Sequence, residues 1–255
     1  MATTTQGLLP LSREGAMMDV TTVISKLQRF LSNPVDAWRW RYRWSRFLNR
    51  LAAEDERNKD FDRRYGVDTA EELPLEEAGI GAADLKRGNS FYRGVWEPEF
   101  HRIMRGLGLN LEKYTFVDYG SGKGKVLLMA ALYPFKRITG VEYAPVLHDI
   151  AQSNIKKFHD ENQLCQNIDT VCGDATAFDP PSGPLVCFFF NPFDVETTRT
   201  VFQKLRASFK DSRREICLIY VNLRHVRENE AVYAGADWLE LVKKDYYFVV
   251  YRIAE

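Results

Sequence analysis

The chain has 255 residues, enough for one large domain with an accessory segment and short for two full domains. Hydrophobic residues make up 45% and aromatics 13%, as in proteins that bury a substantial core, and 35 Lys plus Arg balance 35 Asp plus Glu. This neutrality excludes a global pull toward nucleic acid or an acidic membrane, and apolar runs such as Leu185 to Phe190 are far too short to span a bilayer.

Residues 1–20 are small and polar and lack the basic lead into an apolar stretch that marks a secretory signal; they read as a mobile arm. Residues 21–110 read as a helical accessory or cover segment. Asn33 and Pro34 supply an N-cap and a first helical position, and the helix would carry Trp40, Trp44, Phe47, Leu48 and Leu51 on one face. From Trp38 to Arg46, aromatics alternate with arginines. Alternation favours a strand, whereas Pro34 before it and Phe47 to Ala53 after it favour a helix. The aromatics would dock that helix on the core while the arginines snorkel or pair with Glu54 to Glu56. A nucleic-acid contact or a membrane-surface helix are the alternatives, so this segment is the place for an anionic partner. Glu71 to Leu85 is acidic, carries Pro74, Gly79 and Gly81, and reads as loop with short helices.

From Tyr114 onward the texture becomes regular alternation, and residues 111–255 read as one domain. Strands are expected at Thr115–Tyr119, Arg137–Glu142, Ile168–Cys172, Leu185–Phe190 and Ile216–Val221. Helices are expected at Lys123–Tyr133, from Pro145 to about His159, and from about Val195 to Phe209. Trp238 to Ile253 reads as a β-hairpin turning near residues 243–245. The fold class is therefore α/β: a doubly wound, mostly parallel seven-stranded sheet with a C-terminal antiparallel hairpin. Cys165, Cys172, Cys187 and Cys217 show no CxxC spacing and read as buried, reduced thiols of a cytoplasmic protein. No His, Cys and carboxylate cluster has metal-ligand spacing, so no metal is expected.

Chemistry concentrates after the first strand. Asp118, Gly120, Ser121, Gly122 and Gly124 lie where a strand ends and a helix begins, the context in which a glycine-rich loop admits a ligand close to the backbone. Glu142 closes the next strand, 22 residues after Gly120, and a carboxylate there can accept from both hydroxyls of a ribose. A nicotinamide-dependent oxidoreductase shares these features. The spacing here, however, is GxGxG with an acid two residues ahead of the first glycine, which departs from the dinucleotide GxGxxG.

Asp118 to Gly124, Glu142, Gly173 to Ala175 after the third strand, and Asn191 to Phe193 after the fourth resemble motifs I to IV of class I S-adenosylmethionine-dependent methyltransferases. The resemblance implies S-adenosylmethionine as cofactor. Asp118 and the Gly120–Gly124 backbone would surround its methionine part and Glu142 would hold its ribose. Asp174 would accept from the adenine amino group, with the Ala175 N–H facing a ring nitrogen; as a bare residue, Asp174 also reads as a turn former. Asn191, Pro192 and Phe193 resemble the Asn-Pro-Pro-aromatic motif of enzymes that methylate planar amines, lacking its second proline. Val95 to Phe100 is similar to the acidic loop ahead of motif I in non-SET histone lysine methyltransferases, which implies that Glu97 lies beside the cofactor's methionine end. Read alone, Glu97 and Pro98 start a helix. The expected activity is methyl transfer to an unidentified acceptor, an amine nitrogen, with a protein side chain favoured over nucleic acid or a small molecule. A non-catalytic cofactor-binding scaffold is the alternative from another class.

Overall fold

In a computed structural model of the chain, the structure describes residues 56–71, 73, 77–78, 95–221, 232–233 and 236–254. The N-terminal arm and the Trp38–Arg46 segment lie outside the described residues, as does most of the acidic stretch from Glu71 to Leu85.

Seven strands form one sheet. They are β1 (Thr115–Tyr119), β2 (Arg137–Glu142), β3 (Ile168–Cys172), β4 (Leu185–Phe189), β5 (Ile216–Val221), β6 (Leu239–Lys244) and β7 (Phe248–Ile253), in the order β3-β2-β1-β4-β5-β7-β6. The first five pair in parallel, and β7 runs antiparallel to both β5 and β6. The expected α/β sheet with its terminal hairpin is therefore present. Among the described residues the longer helices beside it are α1 (56–65), α2 (Glu97–Arg105), α3 (Lys125–Ala130), α4 (Pro145–Lys157) and α5 (Val195–Asp211).

The central strands β4 and β5 are almost wholly apolar, and β1 is buried along its length, because both faces are covered. Along β4, Val186 and Phe188 join a core with Phe61, Phe100 and Leu127 from the helices α1, α2 and α3. Leu185, Cys187 and Phe189 join the opposite core with Val201, Phe202 and Leu205 of α5. Phe116 belongs to the first core and Val117 and Tyr119 to the second. Period-two alternation then turns Asp118 toward the α1–α3 face. Because β1 pairs with β2 on one side and β4 on the other, the sheet's switch point lies between β1 and β4, where ligands of open α/β sheets bind.

The structure corrects four boundaries or assignments. The helix expected over Lys123–Tyr133 is α3, only Lys125–Ala130, because Gly124 holds a left-handed φ of +82° ahead of it and the chain turns through 131–133 toward Pro134. β4 ends at Phe189, one residue early. The hairpin turns at 245–247, not 243–245, and β6 carries an irregularity between Leu241 and Lys243 that lengthens it. Cys165, Cys187 and Cys217 are buried free thiols, as expected, but Cys172 is exposed, since it ends the edge strand β3.

Candidate functional site

The loop after β1 is built from hydrogen bonds to β2. The Val141 carbonyl accepts from both Gly120 N–H (2.8 Å) and Ser121 N–H (3.0 Å), and Gly124 N–H donates to the Ser121 carbonyl (2.9 Å). Glu142 is buried; its Oε2 accepts from Gly122 N–H at 2.7 Å and its Oε1 from Ala144 N–H at 2.8 Å. Gly120, Gly122 and Gly124 all hold positive φ, of 77°, 54° and 82°, which L side chains adopt only at a cost. Gly140, inside β2, is needed for space: a Cβ there would stand 2.7 Å from Leu127 Cδ1 and 2.8 Å from Ser121 Oγ.

Two buried carboxyls therefore sit at the neighbouring carboxyl ends of β1 and β2. Burial, and then the neighbouring Glu142 charge, push the Asp118 carboxyl well above the usual range. Burial also raises Glu142, opposed by the N–H groups of Ala144, Gly122 and Tyr143. A cation beside these two carboxyls would favour their charged forms, and the N–H groups of Gly120, Ser121, Gly122 and Gly124 are already bonded within the protein, so the site suits a cation. It does not suit a pyrophosphate, which needs those donors. The two loop lysines do not alter this. Lys123 Nζ donates to Asp68 Oδ1 at 2.7 Å, while Lys125 Nζ donates to Asn58 Oδ1 at 2.5 Å and lies 4.9 Å from the Phe61 ring centroid. Both are buried, and burial lowers Lys125 to about 8.

The fourth-strand turn meets this loop. Asn191 adopts φ +48°, a left-handed conformation that Asn tolerates better than most residues. Pro192 packs on Gly120 so closely that a Cβ at 120 would collide with the proline's own Cβ. Tyr220 at the end of β5 donates its hydroxyl to Asn191 Oδ1 at 3.3 Å. Phe193 packs on the α5 core, and Asp194 caps α5 by accepting from Thr197 N–H at 2.8 Å. Asn191 and Pro192 are thus brought to the glycine loop, whereas Phe193 also has the structural task of anchoring the turn.

Gly173 continues the β2 edge by donating to the Glu142 carbonyl at 2.8 Å, which places Asp174 and Ala175 near the acidic strand end. Asp174 Oδ1 accepts from Thr176 N–H and Thr176 Oγ1, both at 2.8 Å, the local bonding of a turn residue. Ala175 is buried in the α5-side core. Glu97 opens α2 without a side-chain cap, with Trp96 as the capping residue and Pro98 in the first turn. It accepts from Arg64 Nη1 at 3.1 Å and lies 3.8 Å from His101 Nε2, and His101 and Arg64 hold its carboxyl below the usual range. Its charge also reaches Lys125, at the start of α3 just past the glycine loop. These partners set Glu97 among α1, α2 and α3.

Four contributors were not singled out from the sequence. Asp68 bonds Lys123, and its backbone N–H donates to Asn154 Oδ1 at 2.9 Å while Asn154 Nδ2 donates to the carbonyls of Asp68 (2.7 Å) and Lys123 (2.9 Å). Asn154 thereby ties the 56–70 segment and α4 to the back of the loop. Tyr220 gave no signal beyond ending an apolar strand. Gly140 did carry one, as a lone glycine inside a strand.

No family model and no curated protein matches the chain. Solved structures do resemble it. Magnesium protoporphyrin IX methyltransferase from Synechocystis PCC 6803, with bound S-adenosylmethionine, is 13% identical, covers 62% of this chain and 79% of its own, and has a TM-score of 0.46. The ribosomal protein L11 methylase of Lactobacillus delbrueckii subsp. bulgaricus is 13% identical, with coverage of 62% and 78% and a TM-score of 0.42. Geranyl diphosphate C-methyltransferase from Streptomyces coelicolor A3(2) is 14% identical, with coverage of 62% and 77% and a TM-score of 0.43.

Proposed function

We propose that the protein is an S-adenosylmethionine-dependent methyltransferase acting on an amine nitrogen, with a protein side chain as the favoured acceptor. One observation carries the reading: the glycine loop presents two buried carboxyls, Asp118 and Glu142, while its own N–H groups and lysines are engaged elsewhere. That charge pattern supports a ligand bearing a sulfonium and an ammonium, and disfavours a nicotinamide dinucleotide.

The residues present fit such a cofactor. The Glu142 carboxylate accepts from the backbone N–H groups of Gly122 and Ala144, and a carboxylate has further lone pairs with which to accept from a ribose hydroxyl. Ser121 Oγ is buried without a hydrogen-bond partner among the described residues, a donor available to a ligand in the loop. The cofactor, when bound, supplies an electrophilic methyl group. Asp118 would balance its positive charge, Glu142 would orient its ribose, and Asn191 Oδ1 would accept from an acceptor N–H so that the nitrogen lone pair faces the methyl. Pro192, seated on Gly120, would fix the distance between the two halves and exclude water. Asp174 and Ala175 would border the adenine, and Glu97 would act through the loop's lysine side. The four unpaired cysteines support a reducing, cytoplasmic setting.

The test is incubation of the full chain with methyl-tritiated S-adenosylmethionine and fractionated cell extract, beside calorimetry with the cofactor and with NAD. Label entering a protein fraction at an amine is the expected result. Binding of NAD and not of S-adenosylmethionine would overturn the reading, and cofactor binding with no label in any fraction would leave the scaffold function in its place.

A further inference from the structure

We propose that Tyr220 is a positioning residue for the acceptor, acting through Asn191; the inference rests on the methyl-transfer reading above. Three constraints converge on Asn191. Its backbone is held at φ +48°, its neighbour Pro192 is locked against Gly120, and its side-chain oxygen faces the Tyr220 hydroxyl at 3.3 Å. All this occurs in a site where Asn191 is 9% exposed and Tyr220 1% exposed. A turn that only needed to leave the strand would need none of the side-chain constraint.

The chemistry of the pair explains what the contact does. A primary carboxamide can rotate by half a turn and exchange its acceptor oxygen for two N–H donors. In one orientation Asn191 would accept from an acceptor amine; in the other it would present donors to the lone pair that must attack the methyl group. A phenol is a much better donor than acceptor, so the Tyr220 hydroxyl selects the orientation with Oδ1 toward it. An amide oxygen carries two lone pairs, and the Tyr220 hydroxyl uses one of them. The 3.3 Å separation is long for a hydroxyl bond, and such contacts tighten when the reacting complex forms.

Tyr220 is itself rigid. Its ring stacks on Phe189 with centroids 6.0 Å apart and planes 11° apart, and Phe189 stacks on Tyr119 at 4.8 Å and 7°. These three residues are in register across β1, β4 and β5, so the sheet fixes the hydroxyl's position. On the far side Tyr233 lies 5.4 Å from the Tyr220 ring. The ladder thus transmits the rigidity of the sheet centre to the carboxamide.

Tyr220→Phe keeps the ring stack and removes only the hydroxyl. Single-turnover transfer of tritiated methyl from S-adenosylmethionine is measured with the extract fraction that the wild-type chain labels. The rate should fall about three- to tenfold, the scale of one hydrogen bond, while cofactor affinity by calorimetry stays within about twofold. In an Asn191→Ala background the same change should add no further loss, because the group it orients is gone. A purely structural hydroxyl would cost the same in both backgrounds, and that result overturns the proposal, as does an unchanged rate in the single variant. Failure of the wild-type chain to label any fraction would overturn the methyl-transfer reading and this one with it. That outcome is told apart because it is seen before any variant is made.

Discussion

Gly120 is the residue through which the cofactor loop and the acceptor turn touch, and replacing it with alanine tests that junction. Two costs add. A side chain at φ +77° pays about 1–2 kcal/mol for the left-handed backbone. The new Cβ would collide with the Pro192 Cβ, and forcing a methyl into a packed site costs about 1–3 kcal/mol. The total is about 2–5 kcal/mol, or a fall of roughly 4–20 °C in the melting midpoint for a domain of this size. Gly108→Ala is the matched control. It has φ +66° and nothing within 4 Å of the added carbon, so only the backbone cost of about 1–2 kcal/mol applies. Thermal and denaturant unfolding of both variants, and of Gly120→Ala combined with Pro192→Gly, isolate the contact. The double variant should recover about 1–3 kcal/mol of the loss once the Pro192 Cβ is absent. If Gly120→Ala is no less stable than Gly108→Ala, the junction is not what requires glycine at 120.

Asp118→Asn should trade binding for stability. The folded-state carboxyl is raised above its ordinary 3.8, so the native chain holds a proton that the unfolded chain loses, and stability falls as pH rises from about 4 through the folded value. The asparagine variant lacks that slope, so its melting midpoint should gain on the wild type as pH rises while S-adenosylmethionine affinity drops; parallel pH profiles would refute this. Glu142→Ala should lower cofactor affinity by calorimetry about hundredfold to ten-thousandfold, since two hydrogen bonds to a charged acceptor at about 1.5–3 kcal/mol each are lost. Retained affinity would remove Glu142 from the ribose site. Lys125→Met tests the buried lysine. Its value is lowered from 10.5 to about 8, so the folded chain sheds its proton first, and wild-type stability should rise between about pH 8 and 10.5. The methionine variant should show no such rise, and a rise of the same size in both would assign it to another group.

The sheet was legible because its signals are local and repeated. β1, β2, β3 and β5 are short stretches rich in β-branched and other apolar residues bounded by polar or turn-forming ones, and their limits match the expected ones residue for residue. Helix α3 was not legible at its ends. Its sequence from Lys123 to Tyr133 has good helix formers, yet Gly124 at φ +82° starts it two residues late, and positive φ is invisible in propensity. Cys172 failed for a related reason. It resembles Cys187 and Cys217 in its apolar neighbours, but strand order decides burial, and β3 lies at an edge while β4 and β5 are interior.

The site divides along the same line. Asp118, the three loop glycines and Glu142 were visible because sequence spacing fixes them at adjacent strand ends, and the register pairs Asp118 with Gly140, two residues from Glu142. Side-chain direction was not visible. A loop reading Gly-Ser-Gly-Lys-Gly-Lys looks, as a string, like a phosphate cradle with two cations beside it. What reverses that reading lies more than fifty residues upstream: Asp68 draws Lys123 away, and Asn58 with the Phe61 face takes Lys125. Both lysines are bonded to the 56–70 segment and the N–H groups of Gly120, Ser121, Gly122 and Gly124 to Val141, Glu142 and Ser121, which leaves the buried carboxyls of Asp118 and Glu142 as the acid groups at the ends of β1 and β2. Asn58, Phe61 and Asp68 thus decide where the two lysine ammonium groups point, a contribution that spacing within the loop does not reveal.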